Sequence, residues 1–194
     1  MRIGVLGGSF NPPHIGHLIV ASDACEALSL DLLLIVPANA NPLKGMNAGG
    51  ATAEQRLEMV RLAFAGDSRF EVSSMEMERG GLSYTVDTLE ALQAQHQGAE
   101  LVLLMGIDAL RTIDRWKRPE RIREIAQLAV LERGENDDHA VPPGVTVVTT
   151  RRIDVSASEI RDRVAAGRSI KGFVAESVER YISAAELYKA PAAG

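Results

Sequence analysis

Disulfides cannot hold this chain together, because Cys25 is its only cysteine. A lone thiol fits a reducing compartment, and the sequence does not open on a basic leader with a small-residue cleavage site, so a cytoplasmic protein is expected. Long apolar runs are missing as well. The longest, residues 28–38, is interrupted by Ser29 and Asp31 and is too short to cross a bilayer. Positive charge is not in excess either: a net charge of −5 argues against a general nucleic-acid or membrane-surface binder. An anionic ligand would have to be held by a local basic cluster, not by the field of the whole molecule.

What is present reads as one large domain. The 194 residues have a mean hydropathy near zero, and a chain of this length buries about 70% of its unfolded surface. Apolar runs alternate with helical periodicities. Strands are predicted over 2–7, 31–36, 70–74, 100–106, 127–132 and 145–149, and helices over 15–28, 53–65, 84–96, 108–113, 119–126, 156–166 and 175–183. That alternation predicts an α/β fold, a doubly wound and mainly parallel sheet of five to six strands with helices on both faces. Right-handed crossovers would set the first and fourth strands side by side at the centre, with ligands at their carboxyl ends. Residues 1–189 form the domain in this reading, with mobile loops at 39–52 and 134–144 and a disordered tail at 190–194.

The most informative segment is Gly7-Gly8-Ser9-Phe10-Asn11-Pro12-Pro13-His14-Ile15-Gly16-His17, directly after the first strand. Gly7 and Gly8 let the backbone approach a ligand, and the prolines stiffen the turn. The helix that follows would present free N–H groups and its positive dipole end near residues 14–16, as an anion site requires. If that helix has begun by residue 14, His14 and His17 share one face, and Gly16 keeps the face open for a phosphate. A capping histidine beside a surface histidine would look the same in isolation. A zinc site is a further alternative, but Cys25 is the only cysteine and no carboxylate lies in the turn. The position of the turn, at the carboxyl end of the first strand, favours the anion.

A second segment, Val155-Ser156-Ala157-Ser158-Glu159-Ile160-Arg161, follows the last strand. Ser156 with Glu159 three residues on has the form of a capping box, common at helix starts of every kind. Here it brings a second helix N-terminus to the same sheet edge. Ser158 and Arg161, at i and i+3, could then offer a hydroxyl and a guanidinium to the same anion.

With these two segments the chain resembles the nucleotidyltransferases that carry an HxGH motif and an SxSxxIR-like motif. Within them it looks like the bacterial nicotinate-nucleotide adenylyltransferases, over about residues 1–188. Further matches are Pro37-Ala38-Asn39, Asn41-Pro42-Leu43-Lys44, the stretch 54–59, Leu82-Ser83-Tyr84-Thr85-Val86-Asp87-Thr88-Leu89, Met105-Gly106-Ile107-Asp108 and Trp116.

The resemblance implies an enzyme that joins ATP and nicotinate mononucleotide into deamido-NAD and pyrophosphate, in NAD biosynthesis. It implies His14, His17 and Arg161 as catalytic residues. ATP would be bound by Gly7, Gly8, Ser9, Phe10, His14, His17, Gly106, Asp108, Ser156, Ser158 and Arg161, with Mg²⁺ carried on the phosphates and water, not on protein side chains. Nicotinate mononucleotide would be bound by Asn39, Lys44, Tyr84, Thr85, Trp116 and Lys117, with the pyridinium ring stacked on the only tryptophan. Plain structural roles are also open: Thr85 and Asp108 as helix N-caps, and Trp116 as an anchor between helices. The expected partners are small molecules, with no nucleic acid and no membrane, and a homo-oligomer is left open.

The sequence departs from the family pattern at a few places. Leu43 stands where the loop usually has histidine, which throws weight onto Lys44; Asn11, Val155 and Ala157 replace the commoner Asp, Ile and Ser. Class I aminoacyl-tRNA synthetases share the histidine motif, but their Lys-Met-Ser-Lys-Ser-like loop is absent. Pantetheine-phosphate adenylyltransferases and cytidylyltransferases lack the 84–89 pattern. A non-catalytic nucleotide-binding domain would have less need of His14, His17 and Arg161 together.

Overall fold

The computed structural model describes residues 1–40, 50–133 and 141–190. Lys44 and most of the two predicted loops lie outside the described residues. Six strands run in chain order: β1 (Arg2–Gly8), β2 (Leu32–Pro37), β3 (Phe70–Val72), β4 (Glu100–Gly106), β5 (Ala126–Arg133) and β6 (Val145–Thr150). They form one parallel sheet in the order β3-β2-β1-β4-β5-β6. This is the doubly wound arrangement expected, with the strand order reversing between β1 and β4.

Covering both faces of the sheet is what makes its strands so apolar. In β4 every residue from Leu101 to Met105 is buried, and in β2 every residue from Leu33 to Pro37. Alternate residues feed two cores. On one face Leu33, Ile35, Val102 and Leu104 meet α1 (Ile15–Ala27), α2 (Ala53–Phe64), α7 (Ala157–Ala165) and α8 (Glu176–Ala184). On the other, Leu34, Val36, Leu103 and Met105 meet α4 (Thr85–Gln95), α5 (Ile107–Thr112) and α6 (Pro119–Ile125). Among the described residues no helix is long and apolar enough to cross a membrane.

The boundaries differ in small, explicable ways. The third strand ends at Val72, because Ser73 and Ser74 lead into a five-residue helix, α3 (Met75–Arg79), that periodicity did not predict. A single turn is too short to show a helical repeat. What holds α3 in place is tertiary: the buried Glu76 accepts a hydrogen bond from the Thr88 hydroxyl on α4 at 2.6 Å. A 3₁₀ turn, Ile113–Arg115, also went unpredicted. The caps shift by one or two residues. Tyr84, not Thr85, is the N-cap of α4, and Gly106, not Asp108, is the N-cap of α5.

Candidate active site

The carboxyl ends of β1, β2, β4 and β6 are followed by the turns that carry the predicted site. The first turn is built around α1, whose N-cap is His14. Three bonds fix its geometry. The His17 N–H donates to the His14 carbonyl at 2.9 Å, the Ile15 N–H donates to the Phe173 carbonyl at 2.9 Å, and the His14 N–H donates to Nδ1 of His17 at 3.1 Å. Since a main-chain N–H can only donate, Nδ1 of His17 bears no proton and the ring carries its N–H at Nε2. His17 thus behaves as the N3 residue of a capping box while keeping one donor.

The imidazoles of His14 and His17 lie together, with centroids 3.7 Å apart and planes tilted by 37°. His14 is buried, 7% exposed, whereas His17 is half-buried. The predicted reason for Gly16 needs correction. The space above it is not left open for a ligand; the His14 ring fills it. A Cβ built on Gly16 would stand 3.0 Å from Nδ1 and 3.1 Å from Cε1 of His14. Phe10 is buried, packs edge-on to His17 at 5.0 Å, and lies where a Cβ on Gly8 would stand. Gly7 is exposed at the end of β1.

The second segment meets the first through Arg161. From α7 its guanidinium donates to the Asn11 carbonyl at 2.7 Å and to the Ser158 hydroxyl at 3.0 Å. Ser156 caps α7, with its hydroxyl accepting from the Glu159 N–H at 3.1 Å. The Asn11 side chain accepts from the Tyr188 hydroxyl at 2.6 Å. Two motifs 150 residues apart therefore share one wall.

The remaining residues divide into a tied group and an open one. Asn39 is bound to the loop before α4: its N–H donates to the Ser83 hydroxyl and its side-chain nitrogen to the Gly81 carbonyl, both at 2.9 Å. Lys117 pairs with Asp87 at 2.8 Å and lies 4.6 Å from the centre of the Tyr84 ring, which draws α4 and the residues before α6 together. Arg118 and Arg121 extend that seam to Glu90, and the Arg118 guanidinium holds the Glu90 carboxyl below its ordinary range. Trp116 packs partly buried against the α4 side of the core, and its Nε1 is buried with no hydrogen-bond partner among the described residues. Gly106 and Asp108 are exposed at the end of β4, and Asp108 stands 3.5 Å from Arg111. No cluster of three or more His, Cys, Asp or Glu that could hold a metal occurs among the described residues. The donors gathered here, two imidazoles, a guanidinium, hydroxyls and N–H groups, suit an anion.

One polar residue at this edge escaped the sequence reading: Arg56 on α2. It is 8% exposed, and burial pulls its pKa down. The signal was available, since Arg56 precedes Met59 and Val60 by three and four residues and so sits on the buried stripe of its helix.

The comparisons with known proteins agree with this fold. A family model described as cytidylyltransferase-like matches residues 5–163. A protein from Gemmatimonas aurantiaca named "probable nicotinate-nucleotide adenylyltransferase" is 46% identical, over 97% of this chain and 93% of that protein. A protein of the same name from Thermus thermophilus is 42% identical over 97% of this chain and all of that protein. Among solved structures, a Plasmodium falciparum nicotinic acid mononucleotide adenylyltransferase complexed with NaAD superposes with a TM-score of 0.78 at 18% identity, over 96% of this chain and 97% of that one. At that identity the match concerns the fold.

Proposed function

This chain belongs to the nicotinate-nucleotide adenylyltransferases, and we infer that the wall joining its two motifs holds ATP for that family's reaction: the adenylyl group passes to the 5′-phosphate of nicotinate mononucleotide, giving deamido-NAD and pyrophosphate. The single observation that carries the reading is the Arg161–Asn11 contact, which makes the His14/His17 turn and the Ser156–Ser158 helix start one anion-binding surface.

The chemistry asks little of the protein beyond position and charge. An oxygen of the acceptor phosphate attacks the α-phosphorus, the bond from that phosphorus to the β-bridging oxygen breaks, and pyrophosphate departs with the electron pair. The nucleophile is already an anion, so no general base is needed. What must be supplied is in-line placement and neutralisation of charge on the transferring phosphoryl group. His17, with its proton on Nε2, serves as donor to the α-phosphate. His14, stacked against it, orients the ring and the triphosphate. Ser158 and Arg161, near the N-terminus of α7, take the β- and γ-phosphates, alongside main-chain groups of Gly7, Gly8, Ser9 and Phe10. Gly106 and Asp108 take the ribose side.

For the acceptor, Thr85 in the first turn of α4 offers a hydroxyl and an N–H to the nicotinate carboxylate, and Trp116 offers a ring face to the pyridinium. Tyr84 and Asn39 shape that pocket; Lys117, paired with Asp87, adds positive field. Lys44 is assigned to the acceptor phosphate. Among the described residues no three His, Cys, Asp or Glu side chains gather to hold a bare cation, and Asp108 stands apart from the phosphate donors on the ribose side, so we assign Mg²⁺ to the ATP phosphates and water. When bound there it neutralises the leaving pyrophosphate. We also assign the enzyme to the cytoplasm, where a lone thiol stays reduced.

Pyrophosphate release with ATP and each acceptor in turn tests the assignment. Turnover should be fastest with nicotinate mononucleotide, and faster turnover with nicotinamide mononucleotide or phosphopantetheine, or with CTP in place of ATP, overturns it. A second expectation concerns Gly16→Ala. The added methyl displaces the His14 ring by a few tenths of an ångström from its place beside His17, and such misplacement should cost about tenfold in kcat/KM. The helix itself is not harmed, since alanine is the better helix former by up to about 1 kcal/mol. Kinetics and a thermal melt on one sample check the pair: retained Tm with lost activity is expected, and unchanged activity would show that the imidazole's position is irrelevant.

A further inference from the structure

The sheet edge carries one buried cation that the roles above leave unused. Arg56 rises from the first turns of α2, which Thr52 caps through the Gln55 N–H at 3.2 Å. Its Nη1 donates to the Ser9 carbonyl at 2.8 Å and to the Ala38 carbonyl at 2.6 Å, and its Nη2 donates to the Asn39 carbonyl at 2.8 Å. Ser9 follows β1 and Ala38 follows β2, so a single planar fork spans the ends of two neighbouring strands. Between the same ends runs one further bond, from the Ala38 N–H to the Gly8 carbonyl at 2.8 Å.

We propose that Arg56 is a positioning residue that fixes the ATP-bearing turn after β1 relative to the acceptor-bearing turn after β2, through main-chain carbonyls alone. Its consequence for turnover rests on the adenylyltransferase reading. Three observations support it. The guanidinium has no carboxylate within ion-pair distance among the described residues, so its direct partners are the three carbonyls, and the Glu54 carboxylate acts on it only from further off. The Tyr188 hydroxyl, which acts on Arg56 electrostatically, is pushed well above the ordinary phenol range by burial and stays neutral. The tie also continues outward: Asn39 bonds Gly81 and Ser83, and the Ala40 carbonyl accepts from the Ser83 N–H at 2.9 Å, immediately before Tyr84 and Thr85. A shift of Arg56 would thus reach both substrates.

Lysine keeps the charge but not the fork, since one ammonium on a flexible stem cannot reproduce two nitrogens serving three carbonyls in a plane. Arg56→Lys should raise KM for ATP and for nicotinate mononucleotide together, with kcat/KM falling about tenfold for each. Val60→Ala, at a fully buried position on the same helix, provides a core-truncation control that leaves the three carbonyl bonds of Arg56 their donor. It should lower Tm while leaving both KM values within about twofold. If Val60→Ala reproduces the KM changes at a matched loss of Tm, or if Arg56→Lys moves neither KM, the proposal is wrong. Amide exchange on the substrate-free protein decides the structural part independently. In Arg56→Lys, peptides covering residues 5–10 and 36–40 should exchange faster together, and acceleration of one alone or of neither overturns the tie. Failure of the wild type to use nicotinate mononucleotide would instead sink the functional reading and leave the exchange result to judge Arg56.

Discussion

His17→Ala is expected to lower kcat by about 10²-fold or more while changing the KM for ATP far less. The ring is half-buried, stacked on His14, flanked by Phe10, and fixed as the Nε2–H tautomer by the His14 N–H. A neutral imidazole held this way is a preorganised donor, and it contributes most where charge grows on the α-phosphoryl oxygens. An interaction realised mainly in the transition state appears in kcat, not in KM. The substitution also removes a cap from α1, at a cost of about 1 kcal/mol in stability. His17→Asn separates the two effects, because its carbonyl can still accept from the His14 N–H while the Nε2–H donor is gone. Steady-state kinetics with thermal melts on both variants should show Tm recovered in His17→Asn and kcat still low. An unchanged kcat in His17→Ala would reduce the imidazole to a capping group.

The sequence made some of this legible and hid the rest for identifiable reasons. Strands β1, β2, β4 and β5 were readable because a parallel sheet covered on both faces requires uninterrupted apolar runs, and those runs are visible residue by residue. The two motifs were readable because their side chains have chemistry of their own. Arg56 was harder to place because its partners are carbonyls, which every residue possesses and no residue type advertises. The role of Gly16 was misjudged in direction: glycine signals close approach, but not by what, and the approaching group is its neighbour's ring. Asn11 meets Tyr188 across 177 residues, a pairing no local pattern encodes. The cap of α4 fell on Tyr84 because cap position is set by where the loop from α3 delivers the chain, with the Lys117 ammonium against the Tyr84 ring holding it there.

Arg161→Ala should cost about 10²-fold or more in kcat/KM, and its lysine counterpart should recover little of that loss. A guanidinium has five N–H bonds. Among the described residues two of them are used, one on the Asn11 carbonyl and one on the Ser158 hydroxyl, and these keep the α7 start against the first turn. The other three are available to phosphate oxygens, where charge-assisted bonds are strongest. Lysine supplies charge without the planar fork, so it must give up either the anchor or the phosphate. Because the chain as a whole carries −5, no general positive field compensates for the missing group. The reverse reaction isolates the effect: with deamido-NAD and pyrophosphate as substrates, KM for pyrophosphate should rise about tenfold or more in Arg161→Lys, while KM for deamido-NAD moves much less. If both constants rise equally, Arg161 acts only as a clasp between the two motifs, and the β- and γ-phosphates must be held elsewhere.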